Sequence, residues 1–276
     1  MQLPAVDTTA AATHPSSQTQ SSRERTFTHE GYLLLPELVD MHRLAELNAR
    51  ILDEYRRASA AGLPFAGGGR LSGHLNCFPG AESRFVYDTL QERGVFELVR
   101  RLAPQALRQP NIGCNFNLPG SSEQNDHVDG DPARPFMVVN VAAVDTTLEN
   151  GAMEILCGTH RSSHEYWRVL LDRPERRRVT LRQGDVLVRV STLWHRGMPN
   201  RSDKPRVMLA FTWEDGGSRA DDPYAAHDGK ITFLPNRYGS DWKSRLRERA
   251  FAVAPGLGTA YLALRSFVPH RPTPPR

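Results

Sequence analysis

The first residues in this 276-residue chain that suggest chemistry are His127-Val128-Asp129. In an extended strand, residues two apart face the same side, so this imidazole and carboxylate can reach one metal ion. Ten histidines and 31 acidic residues among 276 positions give about one H-x-[DE] match by chance, and the chain has one. The spacing is therefore weak alone, and the Gly130-Asp131-Pro132 that follows fits a plain surface turn as well. His195, 68 residues further on, changes the reading. It falls between two strand-like runs, and the return strand of a β-barrel can carry it beside the first pair. Two imidazoles and one carboxylate on one face of an ion leave three positions open, the facial triad of non-haem Fe(II) sites. Without that partnership, a histidine beside Trp194 would be an ordinary half-buried side chain.

Arg206 lies 11 residues after His195, at the start of an apolar strand-like run. Charged residues rarely open such a run unless they are paired. A guanidinium there can grip a carboxylate through two parallel hydrogen bonds. Counting iron(II), Asp129 and Arg206, the site carries a double positive charge. A dianion such as 2-oxoglutarate would neutralise it, as would other dianions, and a buried site favours neutrality. Two histidines and a carboxylate also suit a zinc hydrolase. The chain has no H-E-x-x-H helix, however, and Arg206 would have no task in one.

Other segments must hold these residues in place. Residues 1–25 are rich in Ala, Thr, Ser, Gln and Pro and read as a disordered tail, and 269–276 as a loose one. A single domain is expected over 26–268. Within it, Gly31-Tyr-Leu-Leu-Leu-Pro36 reads as a short buried strand. Asp40 is placed to cap a helix with Leu44, Leu47, Ile51 and Tyr55 at helical spacing. Gly67-Gly68-Gly69 lacks the context of a phosphate loop and reads as a flexible one. Phe85–Leu102 reads as a second helix. From Asn111 the pattern turns to strands: Phe136–Val144, Ala152–Leu156 after an Asn150-Gly151 hairpin turn, Val179–Leu181, Asp185–Val190 and Val207–Trp213. Arg176-Arg177-Arg178 reads as a solvated loop between strands. Short strands after a helical start imply a mainly β fold with flanking helices, a double-stranded β-helix or cupin-like jelly roll.

From Phe27 to about Trp213 the sequence resembles the phytanoyl-CoA dioxygenase family of Fe(II)/2-oxoglutarate oxygenases. The resemblance rests on an ordered set: Gly31–Pro36, Asn117-Leu-Pro-Gly120, Gln124-Asn-Asp-His-Val-Asp129, Asn150–His160, Gln183-Gly-Asp185 and His195–Arg206. It implies iron ligation by His127, Asp129 and His195, and a grip by Arg206 on the distal carboxylate of 2-oxoglutarate. Asn117 and Asn140 fall where family members line the cosubstrate pocket. The implied cofactors are Fe(II), 2-oxoglutarate and O2, with decarboxylation to succinate coupled to hydrogen abstraction from an unactivated C–H bond. Halogenases of the family carry a small residue at the position of Asp129, so the carboxylate here implies oxygenation. Cys157 stands where the family usually has proline. His160 and His164 belong on a loop and are not expected as ligands.

Composition limits the partners. The net charge of +4 is modest and spread out, so nucleic acid is not expected. Three cysteines, none in a CxxC pair, argue against a disulfide framework and for a reducing cytoplasm. No apolar run approaches the length of a membrane span, and no residue pattern assigns an oligomeric state. A small-molecule substrate is expected, such as a natural-product intermediate. His74 and Asn76 alternate with Leu75 and Cys77, so the first pair can face that substrate while the second packs. A non-catalytic jelly-roll module binding a metal or carbohydrate is the alternative, and a triad completed by Arg206 disfavours it.

Overall fold

The computed structural model describes residues 20–62, 73–161, 165–234 and 242–267. The Gly67–Gly69 run, His164, residues 1–19 and the C-terminal tail lie outside them. Helix α1 (Gln20–Glu30) leads into β1 (Tyr32–Leu35), α2 (Met41–Ala60) and β2 (His74–Phe78). Helices α3 (Arg84–Glu92) and α4 (Val95–Leu102) follow, then β3 (Asn111–Asn117), β4 (Met137–Ala142), β5 (Met153–Leu156) and α5 (Tyr166–Asp172). The chain continues through β6 (Arg176–Val179), β7 (Val186–Val190), β8 (His195–Arg196), β9 (Arg206–Thr212) and β10 (Thr232–Phe233) to α6 (Trp242–Val253) and α7 (Pro255–Arg265).

Two antiparallel sheets form the barrel, a seven-stranded one in the order β1-β7-β4-β9-β3-β2-β10 and a three-stranded one, β6-β5-β8. Strand alternation divides the large sheet cleanly. Val139, Val141, Val207, Leu209, Phe211, Phe116, Leu75 and Cys77 point outward, against Leu44, Leu47 and Ile51 of α2 and the apolar faces of α3 and α4. Tyr32, Ala142, Leu187 and Met208 point inward and meet Ile155 and Val179 of the small sheet. The expected mainly β jelly roll with outer helices is therefore present. Asp40 caps α2, its carboxylate accepting from Arg43 N at 2.9 Å.

Four local expectations need correction. Helix α1 starts at Gln20, so order begins before residue 26. Among its described side chains only Phe27 is buried, so no apolar stripe announced it. The second helix is two, broken at Gly94, whose φ of +74° lies where L-residues seldom go. Asn150-Gly151 is a turn but not a hairpin, because β4 and β5 belong to different sheets. The Asn150 side chain holds that crossover, accepting from Thr147 N at 2.7 Å and donating to Asp145 O at 2.7 Å. Arg176–Arg178 is a strand rather than a solvated loop: it pairs with β5, Arg176 meets the buried carboxylate of Asp126, and Arg178 donates to the carbonyls of Ala152 and Leu148.

Phe211 is fully buried where the large sheet meets the helices. Phe211→Ala is expected to cost about 3–5 kcal/mol of stability. The check is a lowered denaturant midpoint with an unchanged m-value.

Candidate metal centre

The segment carrying His127 is not part of a regular strand, but it pairs with the chain around His195. His127 N donates to His195 O at 2.9 Å and His195 N donates to His127 O at 3.0 Å. Asp129 N donates to Ser191 O at 2.9 Å, and Gln124 N to Gly197 O at 2.8 Å. Val128 turns away, into a cluster with Trp194 and Tyr166. His127 and Asp129 consequently share one side, as the i, i+2 spacing predicts. The ligand atoms of His127, Asp129 and His195 all lie within 4.8 Å of one another. Among the described residues they form the one such group; His160 packs instead beside Phe27.

Both imidazoles are oriented for ligation. Nδ1 of His127 lies 2.9 Å from Asn125 O, and Nδ1 of His195 lies 2.9 Å from Leu193 O. A carbonyl only accepts, so each Nδ1 carries the proton and each Nε2 keeps its lone pair for a metal. Burial and then the charge of Arg189 push His195 down to about 3, so it is neutral at physiological pH. Burial works to raise the Asp129 carboxyl. Arg189 and the two imidazoles outweigh it and hold Asp129 well below the usual carboxylate range.

Arg189 is the residue that sequence reasoning missed. It sits buried in β7, and its Nη2 donates to Asp129 Oδ2 at 2.6 Å. A lone charge inside Val186-Leu-Val-Arg-Val190 is the same signal that singled out Arg206, and it went unread. A second group missed lies behind His127. The buried carboxylate of Asp126 accepts from Tyr166 Oη and from both terminal nitrogens of Arg176, at 2.7 and 3.2 Å. Arg176 and Arg196 also share Glu154, at 2.9 and 2.8 Å. This network ties the metal-side loop to β5, β6, β8 and α5.

The inner face of the large sheet leads from this centre to Arg206. Arg189 pairs in register with Val138, and Asn140 with Leu187 and Ala210. Asn115 stands opposite Met208, and Arg206 opposite Asn117, which in turn faces His74. Asn140 Oδ1 lies 3.4 Å from Arg189 Nε. Asn117 donates to Met198 O at 3.1 Å, while its buried Oδ1 has no partner. His74 is buried with its Nε2 2.8 Å from Ser122 O, whereas Asn76 is exposed. Leu75 and Cys77 pack on the other face, so the expected alternation holds.

Arg206 is 5% exposed. Its one hydrogen-bond contact among the described residues is a 3.7 Å approach of Nη1 to Met208 Sδ, and its Nε has no partner. Burial lowers it to about 10, so it remains a cation at neutral pH. An unpaired buried cation costs several kcal/mol unless an anion completes it. The donor set thus fits both implied groups: two imidazole Nε2 atoms and a carboxylate for iron(II), and an unmatched guanidinium for a carboxylate ligand.

Residues 27–208 match the phytanoyl-CoA dioxygenase (PhyH) family. The chain belongs to that family. It is therefore an iron(II)- and 2-oxoglutarate-dependent oxygenase by class. Among solved structures it is similar to the epimerase SnoN in complex with Fe3+, alpha ketoglutarate and nogalamycin RO. That likeness has 21% identity and a TM-score of 0.54, covering 70% of this chain and 82% of that one. It is also similar to the alpha ketoglutarate dependent carbocyclase SnoK from nogalamycin biosynthesis, with 16% identity, TM-score 0.55 and coverage of 71% and 83%. AviO1 from Streptomyces viridochromogenes gives 16% identity, TM-score 0.55 and coverage of 72% and 96%. At these identities the likeness establishes the shared fold. No described helix is long and apolar enough to cross a membrane.

His74 gives the site a measurable acid sensitivity. Burial, helped by the charge of Arg206, pushes it down to about 4. The unfolded chain takes up this proton near pH 6.5, and the folded chain only near 4. Its contribution is complete above pH 6.5 and is withdrawn as pH falls to 4, by about 3 kcal/mol. His74→Gln should therefore gain about that much relative to the parent between pH 7 and pH 4. Urea unfolding at both pH values measures it; a constant difference would place the His74 proton in the folded state as well.

Proposed function

We propose that His127, Asp129 and His195 hold iron(II), that Arg206 binds the distal carboxylate of 2-oxoglutarate, and that the enzyme oxidises a small-molecule intermediate of natural-product biosynthesis at a C–H bond. The buried, unpartnered guanidinium of Arg206 carries this reading. A binding module with no anionic ligand would have no reason to keep a cation there unmatched. The charge count from sequence omitted Arg189. With it included, iron and the 2-oxoglutarate dianion leave one net positive charge, so neutrality no longer selects a dianion. The case rests on Arg206 and on the family.

When bound, iron and 2-oxoglutarate supply the oxidising power, through decarboxylation coupled to C–H cleavage. The protein's own groups do the rest. Asn125 O and Leu193 O fix the two imidazole rings and their tautomers. Asp129 fills the third ligand position, which argues for oxygenation over halogenation. Asn117 and Asn140 line the cosubstrate side of the inner face, and the apolar contacts of Leu187 and Met208 limit water there. His74 and Asn76 are assigned to the substrate wall. SnoN and SnoK, named above, come from nogalamycin biosynthesis, which supports that substrate class. Hydroxylation, desaturation, ring closure and epimerisation share the same first hydrogen abstraction, so the same residues serve any of them.

Substituting alanine for His127, Asp129 or His195 should abolish uptake of one Fe(II) per chain and all iron-dependent formation of succinate. Full turnover by His195→Ala would exclude the triad. Arg206→Ala should keep iron binding and weaken 2-oxoglutarate by about two to three and a half decades, the loss of a bidentate charged pair worth roughly 3–5 kcal/mol. An unchanged 2-oxoglutarate titration by calorimetry would remove Arg206 from the site.

A further inference from the structure

Arg189 does something for which the triad alone gives no account. A carboxylate can bind a metal through one oxygen or through both. An octahedral ion has six positions. Two imidazoles and a one-oxygen carboxylate leave three, and a two-point chelate of a keto acid then still leaves one. Two imidazoles and a two-oxygen carboxylate leave only two, and the same chelate would close the ion completely. The ligation mode of Asp129 therefore decides whether the centre can accept a keto acid and retain an open position.

The structure provides a device for that choice. Arg189 is 4% exposed and projects from the middle of β7, its backbone flanked in register by Tyr32 on one side and Val138 on the other. Its Nη2 holds Asp129 Oδ2 at 2.6 Å. Its Nε faces Asn140 Oδ1, and its buried Nη1 has no partner. The arginine engages Oδ2, which lies 3.6 Å from His195 Nε2, and leaves Oδ1, 3.9 Å from His127 Nε2, free of that contact, while the backbone pairing of Asp129 N with Ser191 O fixes where the side chain begins. Charged hydrogen bonds of this length are among the stronger ones. Holding a ligand's second oxygen is the kind of outer contact that sets ligand orientation at metal sites.

We propose that Arg189 is a positioning residue that restricts Asp129 to one-oxygen ligation and thereby keeps the third open position of the metal centre. The proposal rests on the iron-site assignment above. It concerns the count of open positions, a property distinct from the grip of Arg206 on the far end of the keto acid. Arg189→Met should leave metal uptake at one ion per chain. Binding of 2-oxoglutarate to the metal-loaded protein should weaken at least tenfold, because the chelate must now displace an Asp129 oxygen. Binding to the metal-free protein should stay as in the parent, which an effect on the carboxylate anchor would not allow. Arg189→Lys, which can still occupy one oxygen, should restore most of the loss.

The test is calorimetric titration of parent, Arg189→Met, Arg189→Lys and Arg189→Gln with Fe(II) under anaerobic conditions. Each is then titrated with 2-oxoglutarate, with and without metal, and metal-loaded crystals of the variants are solved. Two Asp129 oxygens on the metal in Arg189→Met or Arg189→Gln, against one in the parent, is the expected result. One-oxygen ligation in these variants together with parent-like 2-oxoglutarate binding would overturn the proposal while leaving the iron site intact. A parent protein that takes up no metal would overturn the iron site itself, and the role of Arg189 with it. Should Arg189→Met not fold, the contrast between Arg189→Lys and Arg189→Gln decides the same question.

Discussion

Everything at the centre of this protein depends on the reciprocal backbone hydrogen bonds between His127 and His195. These two residues are 68 positions apart in sequence, and closing such a loop carries an entropic cost that grows only slowly with length. Once closed, the pairing places two imidazoles side by side, tilted 49° to each other with their ring centroids 4.4 Å apart. Strand alternation then delivers Asp129 without any further device. The rest of the barrel serves to make that pairing rigid: the small sheet from one side, the Asp126 network from behind, and Arg189 from the large sheet.

The inner face shows how one sheet performs two incompatible tasks. Its outward side is wholly apolar and holds the helices. Its inward side carries two buried guanidiniums, several amides and an imidazole along neighbouring strands. Placing such groups inside is expensive unless each is satisfied. The charge of Arg189 is paired with Asp129, although its buried Nη1 has no partner. That of Arg206 is not, and in the proposed function that shortfall is the reserve from which 2-oxoglutarate binding draws. A site that stabilised both arginines internally would be a more stable barrel and a poorer receptor.

The sequence made some of this legible and not the rest, for identifiable reasons. Alternation is local, so the division of β2 into a packed face with Leu75 and Cys77 and an opposite face with buried His74 and exposed Asn76 could be read from residue types alone. The cap at Asp40 was legible for the same reason. The lone H-x-D became informative only with His195 and Arg206, and the family resemblance supplied their roles. Sheet membership is not local. Asn150-Gly151 has the residue types of a hairpin, yet it links two sheets, because what β5 pairs with is decided by β6 and β8. The arginine run at 176–178 looked solvated because the partners of Arg176, Asp126 and Glu154, lie 50 and 22 residues away. Arg189 was legible in principle, as a charge inside an apolar strand, but an ion pair 60 residues long in sequence leaves no periodic trace.

The family match ends at residue 208, and α7 lies wholly beyond it. Leu262 and Ala263 of that helix nonetheless pack in the cluster that holds Val128. Gly258 comes so close to Asn125 that a β-carbon there would stand 2.1 Å from its Oδ1, and Asn125 O is the atom that fixes the His127 ring. The end of α7 is moored in turn to α5, with Ser266 Oγ accepting from Trp167 N at 3.2 Å and Phe267 stacked on Trp167. A chain trimmed to the span shared with its relatives would keep all three proposed ligands and lose the brace behind one of them. The shared span marks common descent, and the mechanical unit of this protein is longer than it.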